Sequence, residues 1–351
     1  MNLIKQRVRE LSRYEVPQDA QMVKLNQNEF PRDVPEEIKK EILARLAATS
    51  WQRYPDGQAE ALVMAIAAYA GVPAACVLVG NASNELIQTV IAATCDSGDS
   101  IVTVTPGFAV YSRVARILGA GVQEVPLGPD FAFDPEALVA AAHGARLVIF
   151  ATPNNPTGTW MSISDIEELV ARVECLVCVD EAYFEFHGET ASPLLRSYGN
   201  LVLLRTFSKA LRLAGVRLGY LLGPPQLVAE LAKARLPFSV GILQQIAGEV
   251  MLAHREVLEQ EIQEVVRQRE ELLAALPGIP GVQAVPSRAN FVLFRHQAVS
   301  SAMLFSALRR RGVLVRSFGG ALSDWLRVTV GTPAENQAFL AALRASLAEL
   351  A

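Results

Sequence analysis

Between residues 60 and 245 the apolar positions fall into short, nearly unbroken runs at 77–79, 100–104, 146–151, 175–179, 201–205 and 218–222, with helical stretches between them. A strand wetted on one face alternates apolar and polar positions, whereas a run that stays apolar marks a strand covered on both faces. The intervening segments are long enough for crossovers, so the pattern predicts an α/β fold: a mostly parallel sheet with helices on both faces. Residues 244–276 carry Ile246, Val250, Val257, Ile262, Val265 and Leu272 among Glu, Gln and Arg, which predicts one long amphipathic helix bridging two domains. After Pro277-Gly278-Ile279-Pro280-Gly281 the pattern becomes strand, helix, strand, strand and helix, over 290–294, 298–311, 313–316, 325–330 and 334–350. That describes a small α+β C-terminal domain. Three parts are therefore expected: an N-terminal arm at 1–35, a large domain at 36–245, and an interdomain helix with the small domain at 246–351.

Composition narrows the class. A chain of 351 residues with 51% apolar and 19% charged residues has the makings of a compact soluble protein. A net charge of −4 with no basic stripe argues against a nucleic-acid partner. No run reaches the roughly 18 apolar residues that a membrane span requires, and the N-terminus lacks the apolar stretch of a signal peptide, so no membrane partner and a cytoplasmic location are expected. The most apolar region, 59–79, is interrupted by Gly71 and Pro73. Four scattered cysteines make no disulfide framework. Cys175 and Cys178 form a C-x-x-C, but within an apolar strand alternation turns one thiol to each face, and no second pair completes a metal site. No metal is expected.

Four loops at predicted strand ends carry the candidate chemistry, since ligands of an open parallel sheet gather where the carboxyl ends of its strands meet loops. Gly80-Asn81-Ala82-Ser83-Asn84-Glu85 leads into a helix predicted over 85–93, whose free N–H groups and dipole suit a phosphate. Thr152-Pro153-Asn154-Asn155-Pro156-Thr157-Gly158 is stiffened by two prolines. Asp180 ends the run 175–179, where an acid must find a partner or be costly, and Tyr183 follows it. Thr206-Phe207-Ser208-Lys209 places a lysine after a strand, beside a hydroxyl and with Arg217 in reach, a layout suited to holding a phosphate-bearing aldehyde as a Schiff base.

Pro153-Asn154-Asn155-Pro156-Thr157-Gly158, then Asp180-Glu181-Ala182-Tyr183, then Ser208-Lys209 with Arg217, in this order and spacing, resemble the signature of the fold-type I pyridoxal-phosphate aminotransferases. The resemblance spans the chain. Leu25-Asn26-Gln27-Asn28-Glu29, Tyr54-Pro55-Asp56, Thr206-Phe207-Ser208-Lys209-Ala210 and Leu326-Arg327-Val328-Thr329-Val330-Gly331-Thr332 are most similar to the histidinol-phosphate branch.

The resemblance implies pyridoxal 5′-phosphate as cofactor, held by the large domain, with Lys209 as Schiff-base lysine and proton shuttle and Asp180 as partner of the pyridine nitrogen. It implies that Asn155 and Tyr183 bind the ring 3-oxygen and that Phe108, in Thr105-Pro106-Gly107-Phe108, stacks on the ring. The phosphate would be met by Ser208, Arg217 and the amides of Ala82 and Ser83, with Tyr54 reaching across from a second subunit of a homodimer. Arg327 matches the family's arginine for the substrate α-carboxylate, and Arg316 the position associated with a side-chain phosphate, with Tyr14 assisting. The implied reaction is ping-pong transamination between histidinol phosphate and 2-oxoglutarate, as in histidine biosynthesis. An aromatic amino-acid aminotransferase and a threonine-phosphate decarboxylase share the same cofactor residues and stand as alternatives. Asn84 replaces the family's usual acid, and Phe108 replaces its usual tyrosine.

Overall fold

The computed structural model describes residues 3–13 and 21–350. Its centre is a seven-stranded sheet in the order Val77–Gly80, Gly219–Leu222, Leu201–Thr206, Leu176–Asp180, Leu147–Ala151, Ser100–Thr105 and Gly121–Pro126. The last five run parallel, and Gly219–Leu222 is antiparallel to both of its neighbours. Successive side chains leave opposite faces. Val177 and Val179 enter one core with Val148 and Phe150, while Cys178 enters the other with Ile149 and Leu204. Cys175 packs against the first core, so the two thiols of the C-x-x-C do face opposite ways.

None of the six predicted runs covers the seventh strand, Gly121–Pro126. This edge strand is mostly exposed and runs from a glycine to a proline, so it has neither the apolar run nor the alternation of a covered strand. The helix expected over 85–93 begins earlier, at Ala82, and spans Ala82–Thr94.

The long helix expected over 244–276 is two, Ile242–Ala253 and Arg255–Ala275. They part at His254 (φ −101°, ψ 21°), whose N–H is shared among the carbonyls of the preceding turn. Each half keeps its own helical period, so the break is invisible as periodicity. The change of partner comes one turn after the break, within the second helix: Val250, Met251, Leu252 and Leu258 lie in a core of the large sheet, whereas Ile262, Val265 and Leu272 lie in the C-terminal core.

The C-terminal core covers a four-stranded antiparallel sheet in the order Arg316–Ser317, Leu326–Thr329, Phe291–His296, Val282–Ala284, with helices Ser301–Arg310 and Pro333–Leu350 against it. The strand expected over 313–316 is divided. Val313–Leu314 pairs in parallel with Val23–Lys24, and Arg316–Ser317 pairs with Leu326 and Arg327. Two neighbours compete for one short segment, and each takes half. Pro35 precedes the helix Glu36–Ala47. Among the described residues no helix is long and apolar enough to cross a membrane, and no cluster of side chains suits a metal ion.

At the carboxyl edge of the sheet, Asp180 lies opposite Leu204, which brings the next residues of the two strands, Glu181 and Arg205, together. Both are 2% exposed. Arg205 Nε donates to Glu181 Oε2 at 2.9 Å, Ala191 N–H donates to Oε1 at 2.7 Å, and the Thr190 hydroxyl lies 2.9 Å from both carboxylate oxygens. The guanidinium also lies over the Phe184 ring, 3.8 Å from its centroid. A buried pair is costly to break because one charge is left uncompensated, while replacing both members is milder. Arg205→Met is therefore expected to lower unfolding stability by about 3–5 kcal/mol in urea denaturation, and Glu181→Leu in the same chain to recover part of the loss.

Candidate active site

The loops that follow the parallel strands open into one cavity of about 630 Å³. Strand register does the gathering. Ala151 pairs with Asp180 and Asp180 with Leu204, so the loop holding Asn155, the acid itself and the loop holding Ser208 and Lys209 leave the sheet side by side.

At one end of the cavity lies the turn into the helix Ala82–Thr94. Ala82 has a positive φ of 60°, and its N–H donates to the Arg217 carbonyl at 3.1 Å. Gly219 backs directly onto this turn: a Cβ there would lie 2.4 Å from the Ser83 nitrogen. The close approach turns the first free N–H groups of a helix, with the positive end of its dipole, toward the cavity. Arg217 Nη1 donates to Ser208 Oγ at 3.3 Å and to the Ala214 carbonyl at 3.1 Å. Ala82, Ser83, Ser208 and Arg217 all line the cavity; with the Ala82 N–H taken by the Arg217 carbonyl, Ser83, Ser208 and Arg217 are the donors fit for a phosphate.

Deeper in, Asp180 is 3% exposed. Its Oδ2 accepts from the Tyr111 hydroxyl at 2.7 Å and its Oδ1 from the Ala182 N–H at 3.1 Å. Burial raises this acid to about 6, against the opposing pull of those two hydrogen bonds. Lys209 Nζ donates to the Gln27 carbonyl at 2.9 Å. Burial, with the Arg327 charge adding to it, lowers this amine to about 7. An amine so placed is largely neutral just above neutral pH, and hence a nucleophile and a base.

The Tyr183 hydroxyl accepts from Asn28 Nδ2 at 2.9 Å. Asn155 Oδ1 accepts from Arg327 Nη1 at 2.5 Å, and Arg327 Nη2 donates to the Asn26 carbonyl at 2.9 Å. Arg327 stands between the rings of Phe291 and Phe318, 5.0 and 5.7 Å from their centroids. Arg316 lies opposite Arg327 in the strand register and also lines the cavity. Phe108 forms part of the wall, with its ring roughly perpendicular to that of Tyr111.

The fold thus brings together Ala82, Ser83, Phe108, Asn155, Asp180, Tyr183, Ser208, Lys209, Arg217, Arg316 and Arg327. Tyr54 is not among the residues lining this cavity; it is 82% exposed and stacks on Phe238, with centroids 4.8 Å apart. Tyr14 lies outside the described residues. The roles of Asn28 and Tyr111 were not apparent from the sequence. Asn28 stands within a run singled out by resemblance, but nothing in that run names Tyr183 as its partner. Tyr111, one helical turn after Phe108, has the spacing of an ordinary core aromatic.

As a whole the cavity offers an anion cradle at one end, an acid at its base suited to a protonated ring nitrogen, an amine of lowered basicity, and two arginines on the C-terminal side. Comparison with known proteins agrees with this chemistry. The family model "Aminotransferase class I and II" matches residues 20–343. The chain is 40% identical to histidinol-phosphate aminotransferase 2 of Nitrosococcus oceani over 348 residues, covering 97% of this chain and 96% of that one. Among solved structures, histidinol-phosphate aminotransferase from Sinorhizobium meliloti, in complex with pyridoxal-5′-phosphate, superposes with a TM-score of 0.88 at 24% identity, covering 100% of this chain and 99% of that one. L-threonine-O-3-phosphate decarboxylase from Porphyromonas gingivalis superposes with a TM-score of 0.82 at 24% identity, covering 93% and 100%. At that identity these two structures speak for the fold.

Two expectations follow from the geometry. Gly219→Ala drives a methyl group into the Ala82–Ser83 backbone, and urea unfolding is expected to show a loss of about 1–3 kcal/mol. In the ligand-free protein, the rate at which trinitrobenzenesulfonate modifies Lys209 should rise with pH around a midpoint of about 7, well below the ~10.4 of an ordinary lysine. A midpoint near the ordinary value would mean that the amine is solvated.

Proposed function

The chain belongs to the class I and II aminotransferase family, and we propose that it uses pyridoxal 5′-phosphate to transfer the amino group of histidinol phosphate to 2-oxoglutarate in a ping-pong cycle. The observation that carries this reading is the meeting, in one cavity, of an amine lowered to about 7 at Lys209, a buried acid at Asp180, the donor cradle at Ser83, Ser208 and Arg217, and the adjacent arginines 316 and 327. When bound, this cofactor supplies an aldehyde for the substrate amine and an electron-poor ring that draws off the electron pair left as Cα gives up its proton.

The residues present fit that group. Ser208 Oγ, the Arg217 guanidinium and the Ser83 N–H would hold its phosphate, where the helix N-terminus favours negative charge, while the Ala82 N–H is held by the Arg217 carbonyl. Asp180 would keep the ring nitrogen protonated, and a cation there would in turn hold this buried acid ionised. Asn155 and the Tyr183 hydroxyl would bind the ring oxygen, and Phe108 would cover one face. Lys209 Nζ takes the proton from Cα in one half-reaction and returns a proton in the other, a role served by an amine that is near half-protonation at neutral pH.

Arg327 would bind the substrate carboxylate through its planar fork, already oriented by Asn155 and the Asn26 carbonyl. Arg316, its neighbour across the strand pair, would bind the phosphate at the other end of the donor, and Tyr14 would assist. Identity of 40% across nearly the whole length of a histidinol-phosphate aminotransferase supports this donor over the aromatic and decarboxylase alternatives. The exposed apolar side chains of Trp51, Tyr54, Leu236 and Phe238 support a homodimer in which Tyr54 reaches the partner's phosphate site. The cytoplasmic setting rests on the sequence reading alone.

Lys209→Ala is expected to lose both turnover and the visible absorbance of the bound cofactor. With the unsubstituted enzyme, a donor panel measured by kcat/KM should favour histidinol phosphate over aromatic amino acids by roughly a hundredfold or more, because a site built to bind a charged group stabilises less well a donor that lacks it. Preference for an aromatic donor, or carbon dioxide release from O-phosphothreonine, would overturn the substrate assignment while leaving the cofactor assignment standing.

A further inference from the structure

Tyr111 lies in the helix Val110–Leu118, 1% exposed, between two residues that the reading above sets against the cofactor ring. Its hydroxyl donates to Asp180 Oδ2 at 2.7 Å. The edge of its ring meets the Phe108 ring at an interplanar angle of 82° with centroids 5.4 Å apart. The phenol is a dependable donor, since burial first and the neighbouring Asp180 charge second push its ionisation well upward. Asp180 has few other supports. The remaining titratable groups around it are Cys178, Glu181, Tyr183 and Lys209; Glu181 opposes its charge and Lys209 favours it. Among the described residues the Ala182 N–H adds the second hydrogen bond.

We propose that Tyr111 is a positioning residue for the transamination chemistry, its hydroxyl holding Asp180 ionised and oriented while its ring edge fixes the Phe108 ring on the cavity wall. The proposal rests on the reading of Asp180 as the ring-nitrogen partner. One side chain then governs both the edge and the face of the bound ring. A buried carboxylate that loses a hydrogen-bond donor has its charged form destabilised, so protonation moves to higher pH. Tyr111→Phe removes the oxygen alone and leaves the aromatic edge against Phe108.

The test is made first without cofactor, by following the protonation of Asp180 in carbon-13-labelled protein by difference infrared spectroscopy. Tyr111→Phe should raise the Asp180 midpoint by about one pH unit, the size expected for one hydrogen bond to a charge. In the holoenzyme the acid limb of kcat/KM should move up by a similar amount, with activity returning toward the unsubstituted level at higher pH. An unchanged midpoint and an unchanged limb, with only a fall in Tm, would overturn the proposal and make Tyr111 structural. Should the variant not fold, 3-fluorotyrosine placed at position 111 gives the opposite displacement: a more acidic phenol donates more strongly, and the Asp180 midpoint should fall. No movement would overturn the proposal again. Because the first measurement needs no cofactor, failure of the cofactor assignment would appear separately, as a protein that titrates as expected but shows no bound absorbance.

Discussion

The alignment of three strand ends is the constraint on which the rest of this structure depends. Ala151, Asp180 and Leu204 stand in one row across the parallel sheet, and each is followed by a loop that contributes to the cavity. A slip of one residue would turn Asp180 to the opposite face and put Glu181 in its place. Immediately beyond the row, the buried Glu181–Arg205 pair, with Thr190 and the Ala191 N–H, occupies the other face of the sheet. The two acids of Asp180-Glu181 thus answer different needs: one faces the cavity and one ties two strand ends together.

A second constraint comes from outside the large sheet. Asn28 belongs to the N-terminal arm, yet its side chain reaches Tyr183 and its N–H donates to Thr329 Oγ1 at 2.9 Å. Arg327, on a strand of the C-terminal sheet, reaches Asn155 across from it. The cavity is therefore closed by three parts of the chain that are remote in sequence. Their convergence sets the electrostatics as well as the shape. Lys209 is buried among Arg327 and Arg217 with Glu29 and Asp180 only partly offsetting them, and its amine falls to about 7. Asp180, sealed beneath it, rises to about 6. The two groups are brought toward neutrality from opposite sides by the same loss of solvent.

Much of this was legible along the chain. The covered strands announced themselves as unbroken apolar runs, because burial on both faces leaves no polar position to hide. Asp180 and Lys209 drew attention because they sit just beyond those runs, where a charge needs a partner, whereas Phe108, Asn155, Arg316 and Arg327 were named only through the resemblance. Other features had no such mark. Gly121–Pro126 is an edge strand with an exposed surface, and its residues carry no pattern that distinguishes it from a loop. The break at His254 leaves both halves of the helix periodic, so the pattern of apolar positions runs on across it. The division of 313–316 reflects a choice between two neighbours, Val23–Lys24 and Leu326–Thr329, that only the assembled fold presents.

By itself the sequence determined the α/β class and the order of the loops, because these follow from local periodicity, while the side chains assigned to the chemistry were named through the resemblance of their ordered motifs. Tertiary structure alone decided who meets whom. That Tyr111 hydrogen-bonds Asp180 across 69 positions, and Asn28 Tyr183 across 155, depends on the packing of a helix against a sheet and of an arm across a cavity. Pairwise distance in space is set by the whole arrangement of elements, and so is the desolvation that moves a lysine and an aspartate toward neutrality. Neither quantity is written in the neighbourhood of the residue that feels it.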